Sequence, residues 1–263
     1  MPDEKDRVRS FFDVHADDYR KSESHRSGDD LAHLVEALDP NESDRVLDVA
    51  TGTGNTALSF LPLVDQVWGV DLTPGMERAF TKEMEARRLS GARFVVGDAE
   101  ALPFPDATFT VVTCRRAAHH FSDKPRALSE MIRVLQTGGR LGIVDMVAPP
   151  VEGAGELSDD LERLRDDSHV AQWSRDMWME AVLVRGVEIT HVEEEVEAIA
   201  WESWLFPVSW TPELEHLMRE LIEHAPEAAR KAVVSGSPDG PAGRRFLKHR
   251  MVLTGTKKRA QEP

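Results

Sequence analysis

Val46-Leu47-Asp48-Val49-Ala50-Thr51-Gly52-Thr53-Gly54-Asn55-Thr56-Ala57 joins a short apolar run to a helical segment through a Gly-x-Gly turn. Glycines at such a turn let the backbone approach a bound molecule closely, and the helix start presents unpaired amides. Downstream the same alternation continues. Apolar, β-branched runs at 66–70, 92–96, 109–114 and 140–147 predict strands, as does 45–50. Helical segments are expected between them at 54–63, 74–89 and 123–135. In the second of these Met76, Phe80 and Met84 recur every four residues; in the third Leu128, Met131, Ile132 and Leu135 share a face. Thr137-Gly138-Gly139 is expected to stop that helix and turn the chain into a strand. Continuous rather than alternating apolar strands indicate burial on both faces. Strand–helix alternation at this spacing predicts an α/β fold with a doubly wound, mostly parallel sheet.

Outside this core the chain reads differently. Residues 1–40 are expected to be helical, with Phe11, His15 and Tyr19 at four-residue spacing. Beyond Pro149-Pro150 lie acidic helical segments, strands near 187–196 and 246–257, and a further helical region. The expectation is a single domain over 1–263, with a seven-stranded sheet built from about 40–148 and those two late strands. A helical cap is assigned to 1–40, 150–185 and 198–240.

With 32 basic and 47 acidic residues the chain carries a formal charge of −15. That balance disfavours nucleic acid or an anionic membrane as the main partner. One cysteine, Cys114, excludes an internal disulfide and a multi-thiolate metal site. There is no signal-like start and no apolar run of membrane-spanning length, so a cytoplasmic protein without integral membrane association is expected. Nothing in the sequence excludes a homodimer.

Taken alone, Gly52 to Ala57 also fits the dinucleotide pattern Gly-x-Gly-x-x-Gly/Ala. Asp71 follows the second strand, 19 residues after Gly52, where a carboxylate serves a ribose. These features indicate only an adenosine-containing ligand. Asp48 separates the alternatives: a carboxylate there repels a pyrophosphate but suits the ammonium of a methionine moiety.

On these residues the sequence resembles class I S-adenosylmethionine-dependent methyltransferases, and within them the ubiquinone/menaquinone-biosynthesis-like group. Four stretches carry the resemblance over roughly residues 5–148: Val46–Gly54, Gly69–Met76, Gly97–Phe104 and Leu135–Leu141. Thr137 departs from it, standing where the family usually has proline. The resemblance implies a Rossmann-like fold and S-adenosyl-L-methionine as cofactor. It implies that Asp71 takes the ribose hydroxyls and that Leu72 and Met76 pack on the adenine. Asp98 then accepts from the adenine amino group and the Ala99 amide donates to the ring. Gly52 and Gly54 line the methionine tail with Asp48 near its ammonium, and the main chain at Arg115 faces the sulfonium. An N-terminal helix closing over the cofactor makes Tyr19 a lid contact and His25 a site candidate.

Other features leave alternatives open. His119 and His120 follow the fourth strand at the edge where ligands gather; one reading makes them a general base, the other a packing or cofactor contact. They carry no metal prediction, since no third ligand stands at informative spacing. Trp173 and Trp204 are candidate acceptor-binding residues, because five of the six tryptophans lie after residue 170. The reading is methyl transfer to a small, apolar or aromatic acceptor. A non-enzymatic cofactor-binding protein on the same fold is the alternative, with a nicotinamide-dependent oxidoreductase behind it.

Overall fold

Four of the five residues of β1 (Arg45–Val49) are fully buried, because this strand lies in the middle of the sheet with β2 (Gln66–Asp71) and β4 (Phe109–Arg115) paired parallel on either side. The computed structural model describes residues 4–21, 28–236 and 243–259. β3 (Ala92–Val96) extends the parallel set beyond β2, and β5 (Leu135–Met146) beyond β4. β8 (Arg245–Lys257) and then β6 (Val187–Ala200) complete the path antiparallel, giving the order β3-β2-β1-β4-β5-β8-β6. A two-residue β7 (Val234–Ser235) adds to β8 and makes eight strands in all. From β1 the chain runs outward through β2 to β3 and then returns to β4 on the other side of β1, so a crevice opens at their carboxyl ends.

The helices fall into three groups. On one face α2 (Asp29–Leu38) and α3 (Asn55–Phe60) pack Leu34, Leu38, Leu58 and Phe60 against Val46, Val111, Val144 and Val252. On the other, α5 (Lys124–Val134) and α7 (Arg175–Leu183) pack Leu128, Met131, Trp178 and Val182 against Leu47, Val112 and Leu253. Residues 29–38 and 175–183 are thus layers of the sandwich and not parts of a cap, because their apolar faces meet the sheet. The third group is a separate cap. It comprises α6 (Ala154–Arg165), α8 (Trp201–Leu205), α9 (Pro212–His224) and α10 (Glu227–Val233), gathered around Leu161, Trp201, Trp204, Met218 and Phe246.

Helix starts follow local chemistry. α4 (Pro74–Arg87) begins with proline, which needs no amide partner there. Asp123, Ser174 and Thr211 cap α5, α7 and α9 by accepting from the amides of Arg126, Met177 and Leu214. α1 (Glu4–Lys21) lies on α4, where Ala16 and Phe12 pack with Met76 and Ala79. The Thr137-Gly138-Gly139 stretch does not separate helix from strand: β5 already starts at Leu135. Instead the register with β4 slips between Phe109 and Val111, and Gly138 takes φ 79°.

Candidate active site

Three strand ends make one wall of a cavity of about 420 Å³ at the carboxyl edge of the sheet. After β1 the backbone turns through Ala50 (φ 53°), Gly52 (φ 53°) and Gly54 (φ 89°) into α3. A Cβ on Gly52 would project into open space, whereas one on Gly54 would strike the Phe80 ring at 2.4 Å. Gly52 therefore leaves room in the cavity, and Gly54 allows helix packing and does not line it. Ala50, with its Cβ, holds a left-handed conformation that favours glycine.

After β2, Asp71 closes this turn. Its Oδ2 accepts from the Gly52 amide at 2.8 Å and its Oδ1 from the Thr73 amide at 3.0 Å. Burial raises its pKa against those amides. Leu72 and Met76 line the cavity beside it. After β3, Asp98 and Ala99 line the same wall, and Asp98 accepts from Lys5 Nζ at 2.7 Å. Lys5 also pairs with Glu100 at 2.5 Å, so α1 is tied across the cavity mouth by charge as well as by Phe12.

Asp48 is placed differently from the sequence expectation. It does not line the cavity but lies beneath it, 1% exposed, accepting from Thr51 Oγ1 at 2.7 Å and Thr113 Oγ1 at 2.8 Å. Burial pushes its pKa up to about 6 against those two hydroxyls. Its role is to hold Thr51, the residue that does face the cavity. The reason is the pleat: Asp48 points to the face covered by α3, not along the strand end.

The opposite wall begins at β4. Arg115 lines the cavity, and its guanidinium grips Asp30 on α2 through Nε at 2.9 Å and Nη2 at 2.8 Å. Arg116 grips the same carboxylate at 2.8 and 3.0 Å. Burial opposes ionisation of Asp30, but the Arg115 hydrogen bond and the two guanidinium charges hold its pKa far below the usual range.

His119 and His120 follow on a short 3-10 turn (Ala118–His120), and both line the cavity. His119 Nδ1 lies 2.5 Å from Asp145 Oδ1, while Asp145 Oδ2 accepts from the His119 amide at 2.8 Å. Asp145 is held below its usual pKa because the His119 charge and hydrogen bond outweigh its burial. His119 Nε2 has no hydrogen-bond partner among the described residues. His120 Nδ1 meets the Ser168 carbonyl at 3.1 Å, and its ring edge meets Phe12 at 5.0 Å between centroids. Sequence reading missed Asp145. Its signal is the one acid of β5, at the carboxyl end of that strand, but only the sheet register sets it beside His119.

Of the two tryptophans, the structure brings Trp204 to the cavity and leaves Trp173 away from it. Trp173 packs on Trp178 at 4.7 Å and bridges to Val147 in the sandwich. Trp204 stacks on Phe246 at 4.4 Å and turns its Nε1 to Glu162 Oε1 at 3.1 Å. Tyr19 falls within α1, with its side chain outside the described residues, as is all of His25. Among the described residues no cluster of three or more His, Cys, Asp or Glu side chains is arranged to hold a metal. No helix there is long and apolar enough to cross a membrane.

The methyltransferase domain family matches residues 47–143, the segment carrying all three strand-end loops. The uncharacterized methyltransferase YcgJ of Bacillus subtilis (strain 168) is 34% identical over 219 residues, covering 83% of this chain and 87% of that protein. The chain belongs to the S-adenosylmethionine-dependent methyltransferases. The crystal structure of YcgJ superposes on this methyltransferase with a TM-score of 0.82 at 31% identity, covering 88% of this chain and 99% of that one. The ubiquinone/menaquinone biosynthesis C-methyltransferase UbiE of Dinoroseobacter shibae (strain DSM 16493 / NCIMB 14021 / DFL 12) is 36% identical over 155 residues, 58% of this chain and 61% of that protein. The residues present suit the cofactor: a side-chain-free approach at Gly52, a carboxylate at the end of β2, and apolar contacts from Leu72, Met76 and Ala99.

Proposed function

We propose that this enzyme methylates a small acceptor with a ring or other apolar body, and that His119 removes the acceptor's proton. The observation that carries the reading is the His119–Asp145 pair on the same cavity as Asp71. Asp71 receives the ribose hydroxyls on the lone pairs its two backbone amides leave over. Leu72 and Met76 pack on the adenine, Ala99 and Asp98 address its polar edge, and Gly52 lets the methionine tail run close to the backbone. S-adenosylmethionine supplies, when bound, an activated methyl group, so the protein mainly aligns the acceptor with it.

Asp145 fixes the His119 tautomer with Nδ1 protonated, leaving Nε2 as the basic nitrogen. A proton leaving the acceptor's nucleophilic atom then goes to Nε2, and the Asp145 charge stabilises the imidazolium. Phe121, Met146, Ile199, Trp204 and Phe206 supply apolar wall for the acceptor body. The test is transfer of a labelled methyl group from S-adenosylmethionine to a metabolite extract, with the wild type beside Asp145→Asn. Transfer that falls sharply in the variant supports the reading. Transfer equally fast in both removes His119 as the base, and transfer in neither removes the enzymatic reading.

A further inference from the structure

The chain is acidic overall, at −15, yet the half of the cavity away from Asp71 is walled by cations. Arg115, Arg116, Arg165, Lys248 and Arg250 all line it. Their acidic partners mostly stand behind the wall. Asp30 takes both Arg115 and Arg116, Glu195 takes Arg250 at 2.5 Å, and Asp166 lies 4.0 Å from Arg165. Among the described residues, Glu197, bound by Arg250 at 2.9 Å, and the His119-bound Asp145 are the acids that share that wall.

At the end under the cap the arrangement is sharper. Lys248 Nζ has one partner among the described residues, Glu162 Oε1 at 3.2 Å. That oxygen also accepts from Trp204 Nε1, and Glu162 Oε2 takes Arg165 at 2.8 Å. Two cations and an indole thus share one carboxylate, and an ammonium with three donors has one acceptor. Burial pulls the Lys248 pKa below its ordinary value despite Glu162, as befits an incompletely compensated cation. Glu162 is itself held well below the usual range, burial being outweighed by Arg165, Lys248 and His169, so it stays ionised. Lys248 and Trp204 both line the cavity while reaching the same oxygen, so charge and aromatic surface lie side by side.

We propose that the acceptor is an organic acid whose carboxylate is taken by Lys248, with Arg165 and Arg250 supporting, while its body lies along Trp204 and Ile199. This rests on the methyl-transfer reading above and deepens it. A carboxylate answers the single ammonium that lacks acceptors, since one charge meets one charge. A phosphate dianion would bring a second charge to cations that already hold Glu162, Glu195 and Glu197. A neutral acceptor would leave the half-buried ammonium with Glu162 as its one charged partner among the described residues.

The experiment separates a metabolite extract by anion exchange into neutral, monoacid and phosphate fractions. Each is incubated with the enzyme and labelled S-adenosylmethionine. Label in the monoacid fraction supports the proposal. Label confined to the neutral or phosphate fraction overturns it while leaving methyl transfer standing. Label in no fraction overturns the methyl-transfer reading and this proposal with it. For the methylated acid, Lys248→Met is expected to raise KM about tenfold or more with kcat and cofactor affinity little changed, and Lys248→Arg to restore most of it. An unchanged KM in Lys248→Met, with a melting temperature near the wild type's, overturns the assignment. Should Lys248→Met melt early, Lys248→Arg at full stability decides: it must bind the acid better than its methyl ester.

Discussion

Replacing His120 by Gln probes the cavity without any knowledge of the acceptor. The ring meets Phe12 and the Ser168 carbonyl, and burial followed by the His119 charge pulls its pKa down to about 3. His169 acts in the same direction, while Asp166 and the Ser168 carbonyl oppose it. An unfolded chain takes up this proton near pH 6.5 and the native one near 3, so between those values the unfolded state binds more protons. Stability is therefore present above about pH 6.5 and lost as pH falls. Over two pH units below 6.5 a one-proton difference amounts to about 2.7 kcal/mol. The ring lines the open cavity, and screening there lowers the expected loss to about 1.5–2.5 kcal/mol. Asp145 and Asp166, held below the usual carboxylate pKa, give up their contribution only at still lower pH. Asp48, raised to about 6, works the other way: its ionisation in the unfolded chain lowers stability as pH rises from about 4 to 6. The Asp48 contribution is common to both proteins and cancels in the difference, whereas those of Asp145 and Asp166, which His120 helps to lower, are given up only below the pH range compared. Urea unfolding of wild type and His120→Gln at about pH 7.5 and 4.5 gives that difference directly. The wild type should lose about 1.5–2.5 kcal/mol more than the variant; parallel losses refute the buried, neutral His120.

Asp71→Ala removes the acceptor of the Gly52 and Thr73 amides and, on the proposed reading, of the ribose, and should weaken S-adenosylmethionine by about 1.5–3 kcal/mol in calorimetry; wild-type protein that binds NAD tightly would count against the whole cofactor assignment. His119→Ala and Asp145→Asn should each lower kcat by about 100- to 10,000-fold with cofactor affinity retained, as read by methyl transfer beside cofactor titration. Trp173→Ala should cost about 2–4 kcal/mol of stability through the sandwich and leave ligand binding unchanged. Trp204→Phe, which keeps the stack on Phe246 but frees Glu162, should raise the acceptor's KM at nearly constant melting temperature.

The α/β fold, the strand–helix order and the three strand-end loops that line one wall of the cavity were legible in the sequence because they are local. A Gly-x-Gly turn, an acid ending the next strand and an Asp-Ala pair after the third each occupy a few consecutive residues. A parallel sheet then brings their strand ends together automatically. Helix placement was less legible: 29–38 and 175–183 carry the same amphipathic period whether they cover a sheet or cap an edge. Asp48 shows the same limit at one residue, since spacing put it beside the turn but the pleat directed it beneath. On the opposite wall the sequence singled out His119, His120 and Trp204, but not the charges that meet there. Asp145 meets His119 across 26 residues, and Lys248 meets Glu162 across 86. Sequence fixes which side chains exist, and local periodicity fixes their elements. Which charges face one another across a cavity is set by strand register and by how the cap settles on β6 and β8, and neither is a property of any short stretch of chain.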